Sequence, residues 1–246
     1  MQGAAIALVL AGGTGSRMGR PKQFIDLLGR PALYHTLKAF DETPGIDCIY
    51  AVGDRERIED LVSDAGIRKY AGCAEPGESR SLSTKSGLGL CGEEEDSVVL
   101  IHDGSRCLVT PDLIQRVLET ARGDTEGVIP TLPVSDTIKV AENGAVSETL
   151  DRSKLHATQT PQAFRLGLLR RIYAASEEHL LTATDDASLI ERSGGRVSIV
   201  PGEKTNIKLT SPEDLILAEA ILVSRHVSRN GDRTGVYHNL LRRMRS

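Results

Sequence analysis

Short apolar runs alternate with longer amphipathic stretches along most of this chain. "AIALVLA" (5–11) leads into a glycine-rich loop and then "ALYHTLKAFDE"; "DCIYAVG" precedes "RERIEDLVSDAG"; "DSVVLIHDG" precedes "TPDLIQRVLETAR"; "EGVIPTLPV" and "GRVSIVPG" complete the series. Runs without polar alternation suit strands covered on both faces, and the longer stretches carry helical spacing. The pattern predicts an α/β fold, a Rossmann-like, mainly parallel sheet with helices on both faces. Ligands of such sheets bind beyond the carboxyl ends of the strands. Two helix starts have local support: Thr110-Pro111-Asp112 and Ser211-Pro212-Glu213-Asp214 each read as an N-cap followed by proline in the first turn.

The rhythm breaks from about Val134 to Thr160. There "VSDTIKVAENGAVSETLDRSKLHATQT" reads as two alternating strands around the turn signal Glu142-Asn143-Gly144, a protruding β-hairpin arm. No internal repeat or low-complexity linker divides the chain, so residues 1–224 read as one domain carrying the arm. Residues 225–246 hold six arginines and one aspartate and read as a basic, solvated C-terminal tail, with "YHNLLRRMRS" able to form a short helix. The charge is too slight to suggest nucleic-acid binding.

Composition narrows the class further. The chain has 246 residues and 39% hydrophobic content, enough for a sizeable core. Lys+Arg 30 against Asp+Glu 34 is close to balance, so no nucleic-acid or membrane partner is indicated, and no apolar run approaches a bilayer span. The N-terminus lacks the basic lead of a secretory signal. Cys48, Cys73, Cys91 and Cys107 include no C-x-x-C pair, which argues against a zinc site and for reduced, buried thiols in a cytoplasmic protein.

The candidate chemistry begins at "LAGGTGSRMGRPKQF", Leu10 to Phe24. Consecutive glycines after a strand let backbone N–H groups approach an anion, and Arg17 and Lys22 add positive charge beyond them. The loop lacks the third glycine of a dinucleotide fingerprint and the Gly-Lys-Ser/Thr of a P-loop. It reads as a phosphate cradle of another kind, against the plainer alternative of a tight turn with surface arginines.

The order of this loop and its companions resembles the sugar-phosphate nucleotidylyltransferases, in the cytidylyltransferase branch that makes 4-diphosphocytidyl-2-C-methyl-D-erythritol. The companions are "RSLSTKSGL" (80–88), "HDGSR" (102–106), "DTIK" (136–139), "TLDR" (149–152), "QTPQAF" (159–164), "TDDAS" (184–188) and "NIKLTSPED" (206–214), and the likeness runs over roughly residues 5 to 223. It implies Mg²⁺-dependent transfer of a cytidylyl group from CTP to 2-C-methyl-D-erythritol 4-phosphate, with pyrophosphate leaving. It also implies a homodimer whose arm reaches a second subunit.

By that resemblance Arg17 and Lys22 stabilise charge on the α-phosphate and the leaving pyrophosphate, while Arg152 and Lys208 orient the incoming phosphate. Ala11, Gly12, Gly13, Thr14 and Gly15, with Arg80, Ser83 and Asp103, fall at positions contacting CTP. Asp103 could hold a magnesium aqua ion or a substrate hydroxyl, or be a turn residue at a strand end. Arg106, Thr137, Thr160 and Thr184 fall at acceptor-binding positions. Departures cluster near the acceptor: Gly104-Ser105 stand where the family has two alanines, Cys107 where proline is common, and His156 where tryptophan is frequent. Ribitol 5-phosphate, the acceptor of a related branch that makes CDP-ribitol, is therefore the alternative substrate. Another sugar phosphate and a non-catalytic nucleotide-binding protein on the same fold are the remaining readings.

Overall fold

The computed structural model describes residues 3–13, 15, 19, 21–174 and 180–230. Its centre is an eight-stranded sheet. Strand β1 (Ala5–Leu10) lies between two parallel neighbours, β4 (Cys48–Val52) and β6 (Val98–Asp103), and β5 (Tyr70–Ala74) extends the parallel set beyond β4. On the other flank β11 (Gln162–Arg165) runs antiparallel between β6 and β7 (Gly127–Pro133). Strand β10 (His156–Thr158) also pairs antiparallel with β7, and β12 (Val197–Pro201) pairs with β7 in parallel. The expected α/β architecture is present, mixed but mostly parallel.

The unbroken apolar runs follow from two-sided burial. Ala5, Ala7 and Val9 of β1 and Val98 and Leu100 of β6 enter one cluster, built with helices α1 (Ala32–Glu42) and α4 (Pro111–Ala121). Ile6, Leu8, Val99 and Ile101 point the other way. They meet α3 (Arg80–Leu88), α5 (Leu166–Tyr173) and α6 (Asp186–Arg192). Alternate side chains of a strand leave on opposite faces, so a strand between two helical layers needs apolar residues at every position. Helix α2 (Arg55–Ala65) is capped by the Asp54 side chain, which accepts from the Arg57 N–H, and ends at Gly66 in the left-handed region. Helix α4 starts as its sequence predicts: Thr110 caps it through the Leu113 N–H and Pro111 occupies the first turn.

Helix α7 (Pro212–Asn230) starts with the reciprocal half of a capping box, the Asp214 carboxylate accepting from the Ser211 N–H at 2.8 Å. It packs through Ala218 onto a third apolar cluster that includes Leu27, Cys107 and Leu209. The boundary expected at 224/225 falls inside this helix. Arg225 donates from its guanidinium to the Leu108 carbonyl and the Thr205 hydroxyl, contacts that hold the helix end to the domain. Residues 231–246 of the tail, including the short helix considered there, lie outside the described residues.

The arm is real but shorter than the sequence suggests. Strands β8 (Lys139–Glu142) and β9 (Ala145–Thr149) pair around Asn143 and Gly144, both at positive φ. His156–Thr158, assigned above to the arm, returns to the main sheet as β10. The remaining small pair, β2 (Asp26–Leu27) with β3 (Arg30–Pro31), joins the glycine loop to α1.

Candidate active site

Register places the chemistry. Leu10, the last residue of β1, pairs with Asp103, the last of β6, so the glycine loop starts beside the Asp103 carboxylate at the carboxyl edge of the sheet. The loop is held from beneath by Gln23, whose buried amide donates to the Ala11 carbonyl at 2.6 Å and to the Gly13 carbonyl at 3.1 Å. Gly12 is required sterically, because a Cβ there would lie 2.3 Å from Pro76 Cβ. Gly15 adopts φ 68°, a backbone that side chains disfavour. Lys22 opens the short 3-10 turn that carries Gln23, so its backbone is registered to the loop. Thr14 and Arg17 lie outside the described residues. A cleft of about 690 Å³ runs from Ala11–Gly13 to Arg55, Glu75 and Pro76.

Beside the loop lies a second cavity of about 290 Å³, lined among others by Arg80, Asp103, Arg106, Thr160, Thr184 and Lys208. Five residues marked by sequence as CTP or acceptor contacts therefore meet in one place, together with Lys208. They come from α3, the end of β6, the β10–β11 connection, the start of α6 and the loop after β12. Arg80, Arg106 and Lys208 share the lining with Asp103 and Asp185, and Arg80 also meets the buried Asp186 behind it, so three cations stand beside three carboxylates.

Asp103 is the hub of this cavity. Its Oδ1 accepts from Arg80 Nε at 3.0 Å and its Oδ2 from Lys208 Nζ at 2.7 Å. Burial alone would raise its pKa, but Arg80 and then Lys208 outweigh that and hold the carboxyl well below the usual carboxylate range. Both oxygens of the residue considered as a metal ligand thus already face cations. Among the described residues no group of three or more His, Cys, Asp or Glu is arranged to hold a metal.

Three of the expected contacts make hydrogen bonds within the protein. The Thr160 hydroxyl accepts the Asp103 N–H at 3.1 Å and lies 3.0 Å from His102 Nδ1, whose Nε2 lies 3.1 Å from the Arg106 carbonyl. A carbonyl only accepts, which assigns the proton to Nε2 and makes Thr160 the donor to Nδ1. Arg106 donates to the Asn206 and Thr158 carbonyls, tying the β6 turn to two other segments. The Ser83 hydroxyl accepts from the Gly77 N–H and donates to the Ser79 carbonyl at 2.8 Å, shaping the loop before α3. Thr160 and Arg106 thereby brace the cavity wall.

Thr137 and Arg152 are elsewhere. Both are exposed on the arm, where Arg152 donates to the Ser135 carbonyl at 2.8 Å, and neither lines the cavity of its own chain. The substitutions noted near the acceptor have mild consequences. Cys107 is buried in the third apolar cluster, its thiol pushed up to about 12 by burial, and His156 bonds the Thr131 hydroxyl.

Sequence reasoning did not single out Gln23, His102, Gln159 and Asn206 as scaffold residues. Gln159 and Asn206 form the joint between the β10–β11 connection and the Lys208 loop: Gln159 Nε2 donates to the Glu203 carbonyl at 2.8 Å and Asn206 Nδ2 to the Thr160 carbonyl at 2.9 Å. Their burial is what marks them as scaffold, and burial is not written in the chain.

His102 makes a pH prediction. It is fully buried, and burial lowers its pKa from 6.5 to about 4. The unfolded chain then binds a proton that the folded chain refuses between those values, so stability is complete above pH 6.5 and falls as pH drops toward 4. The loss amounts to about 3 kcal/mol over the window. Urea unfolding from pH 7 to 4 should show this slope, and His102→Asn should flatten it. A variant as pH-sensitive as the wild type would refute the buried neutral imidazole.

Comparison with known proteins bears on the whole assembly. The family model for IspD, 2-C-methyl-D-erythritol 4-phosphate cytidylyltransferase, matches residues 5–224. The protein of that name from Rubrobacter xylanophilus is 66% identical over 229 residues, covering 93% of this chain and 98% of the relative. That from Syntrophotalea carbinolica is 42% identical over 221 residues, 87% of this chain and 94% of the relative. A crystal structure of 4-diphosphocytidyl-2C-methyl-D-erythritol synthase superposes with a TM-score of 0.77 at 30% identity, over 90% of this chain and 100% of the other. The Thermus thermophilus cytidylyltransferase gives 0.73 at 32% identity, over 90% and 98%. With a cradle beside β1 and a cation-lined cavity at the end of β6, this chain belongs to the 2-C-methyl-D-erythritol 4-phosphate cytidylyltransferase family.

Proposed function

We propose that this chain transfers the cytidylyl group of CTP to the phosphate of 2-C-methyl-D-erythritol 4-phosphate, giving 4-diphosphocytidyl-2-C-methyl-D-erythritol and pyrophosphate in the non-mevalonate route to isoprenoids. The observation that carries the mechanism is the pairing of Leu10 with Asp103, which sets the glycine loop and Lys208 side by side at one edge. A phosphate monoester already carries its nucleophilic oxygen, so no serine, histidine or general base is needed. Catalysis reduces to alignment and charge neutralisation at the α-phosphorus.

In this reading the loop from Ala11 to Gly15 receives the triphosphate, and Arg17 and Lys22 stabilise the pyrophosphate as its bond to the α-phosphorus breaks. Lys208 orients the attacking phosphate from the neighbouring cavity. Arg152 and Thr137 complete the acceptor site from the arm of the partner subunit, which explains why they stand outside the cavity of their own chain. A homodimer belongs to this proposal, supported by an arm whose strand β9 is exposed at every residue.

A divalent cation, Mg²⁺ by preference, belongs to it as well. The described residues suit an ion held mainly by phosphate oxygens and water, with Asp103 offering a remaining lone pair, better than an all-protein cage. When bound, such an ion supplies further neutralisation of the triphosphate. No described helix is long and apolar enough to cross a membrane. We also place the chain in the cytoplasm, a reading supported by four cysteines that form no metal or disulfide pattern.

The test is pyrophosphate release by the purified protein with CTP and Mg²⁺, methylerythritol phosphate against ribitol 5-phosphate. Strong preference for the first is expected. Preference for the second would keep the mechanism and change the pathway, and silence with both while CTP still binds would favour a non-catalytic role. Gel filtration of the same sample should show a dimer, and a monomer at micromolar concentration would count against the shared site.

A further inference from the structure

Beneath the cavity lies a carboxylate that the proposed reaction does not use. Asp186, in the first turn of α6, has no exposed surface. Its Oδ1 accepts the Tyr173 hydroxyl at 2.5 Å and its Oδ2 accepts Arg80 Nη1 at 2.7 Å. Arg80 turns its Nε to Asp103, and Asp103 gives its other oxygen to Lys208. The four side chains form a line, Asp186–Arg80–Asp103–Lys208, with its buried end fixed by tyrosine and its last member at the cavity.

An arginine fork and a carboxylate favour two parallel hydrogen bonds. Arg80 makes one bond to Asp103, through Nε, while Asp186 holds Nη1. Its Nη2 is buried without a partner, so the guanidinium is set by what flanks it and not by a best fit to Asp103. Burial opposes the charge on Arg80, and Asp186 followed by Asp103 outweighs it, keeping the guanidinium ionised. Without the Asp186 charge holding Nη1, Arg80 is free to turn until Nη2, the nitrogen beside Nε, gives Asp103 a second bond. That grip competes for the oxygen that now anchors Lys208.

We propose that Asp186, steadied by Tyr173, is a positioning residue for the acceptor phosphate: it divides Arg80 between two carboxylates and so reserves one oxygen of Asp103 for Lys208. The inference rests on the reading that Lys208 meets the incoming phosphate. It assigns Asp186 no contact with substrate.

The experiment is steady-state kinetics of full-length Asp186→Asn, nearly isosteric and uncharged, with Asp186→Glu and Tyr173→Phe alongside. KM for the polyol phosphate should rise roughly tenfold in Asp186→Asn and about threefold in Tyr173→Phe. KM for CTP, whose expected contacts include Arg80 and Asp103, should rise by a clearly smaller factor than KM for the polyol phosphate, and Asp186→Glu, which restores the charge, should recover most of the loss. General loosening of the fold would raise both constants together, so parallel rises overturn the proposal, as does an unchanged acceptor KM. Should Asp186→Asn fail to fold, the same split in Tyr173→Phe decides it, and its absence refutes the idea. A wild type that turns over no polyol phosphate would instead remove the functional reading beneath it.

Discussion

Replacing Lys208 by alanine is expected to lower kcat/KM for the polyol phosphate by ~10²-fold or more, as removal of one preorganised charge-stabilising group commonly does. Lys208 lies in the loop after β12, its side chain 40% exposed, and contributes little apolar packing. Asp103 keeps Arg80 as partner when the ammonium is gone, so no buried carboxylate is left bare. The thermal midpoint should therefore move little while activity collapses. The deficit belongs to the acceptor: KM for the polyol phosphate should rise, and direct CTP binding should be nearly unchanged. Lys208→Arg is not expected to rescue, because the longer planar fork would grip Asp103 through two bonds and withdraw from the cavity. Near-normal turnover of Lys208→Ala would remove this residue from the site.

Lys22→Ala is the second large effect, and it should appear in kcat at saturating substrates. The charge at Lys22 is expected to act on the departing pyrophosphate, a demand that grows as the bond to the α-phosphorus breaks. The structure fixes where that charge originates. The neighbouring Gln23 is locked to the carbonyls of Ala11 and Gly13, and Phe24 lies under the Arg57 guanidinium, 3.8 Å from the ring centroid. Alanine at position 22 deletes the ammonium while the Gln23 and Phe24 contacts keep the turn in place. A fall of ~10²-fold or more in kcat is expected, with acceptor KM unchanged. If kcat stays within a few-fold of wild type, the leaving-group assignment fails, whatever the behaviour of Lys208→Ala.

The strands of the core were legible because each needs apolar residues at consecutive positions, and β1, β4, β6 and β7 carry such runs. Helices α1, α2 and α4 were legible for the same local reasons, their spacing and their caps or prolines. Strands β10 and β11 were not. "HATQTPQAF" has Pro161 in its middle, and proline argues against an interior strand because it donates no ladder bond. The segment divides into two strands around that proline, each drawn into the sheet by a neighbour with unpaired edge groups: β7 for the first, β6 and β7 for the second. Strand β5, "YAGCA", is too rich in glycine and alanine to stand out and is recruited by the edge of β4.

The site divided along the same line. A glycine loop reports itself locally, since its conformation and its adjacent cations lie within fifteen residues. The resemblance placed Arg80, Asp103, Thr160, Thr184 and Lys208 near substrate, and the structure gathers them around one cavity. It could not say which of them face a ligand and which face the protein. "TDDAS" shows two adjacent aspartates of equal chemistry; the fold makes Asp185 a helix cap at the cavity and buries Asp186 under Arg80.

The sequence by itself determined the layered α/β plan, the cradle after β1, the hairpin and the family to which these motifs belong, because each is encoded by neighbours a few positions apart. Only the tertiary structure decided the charge chain and the scaffold around it. Arg80 meets Asp186 across 106 positions, and Asp103 meets Lys208 across 105. Such partners acquire their roles from burial and from competition for hydrogen bonds, which exist only once the sheet has brought its carboxyl ends together.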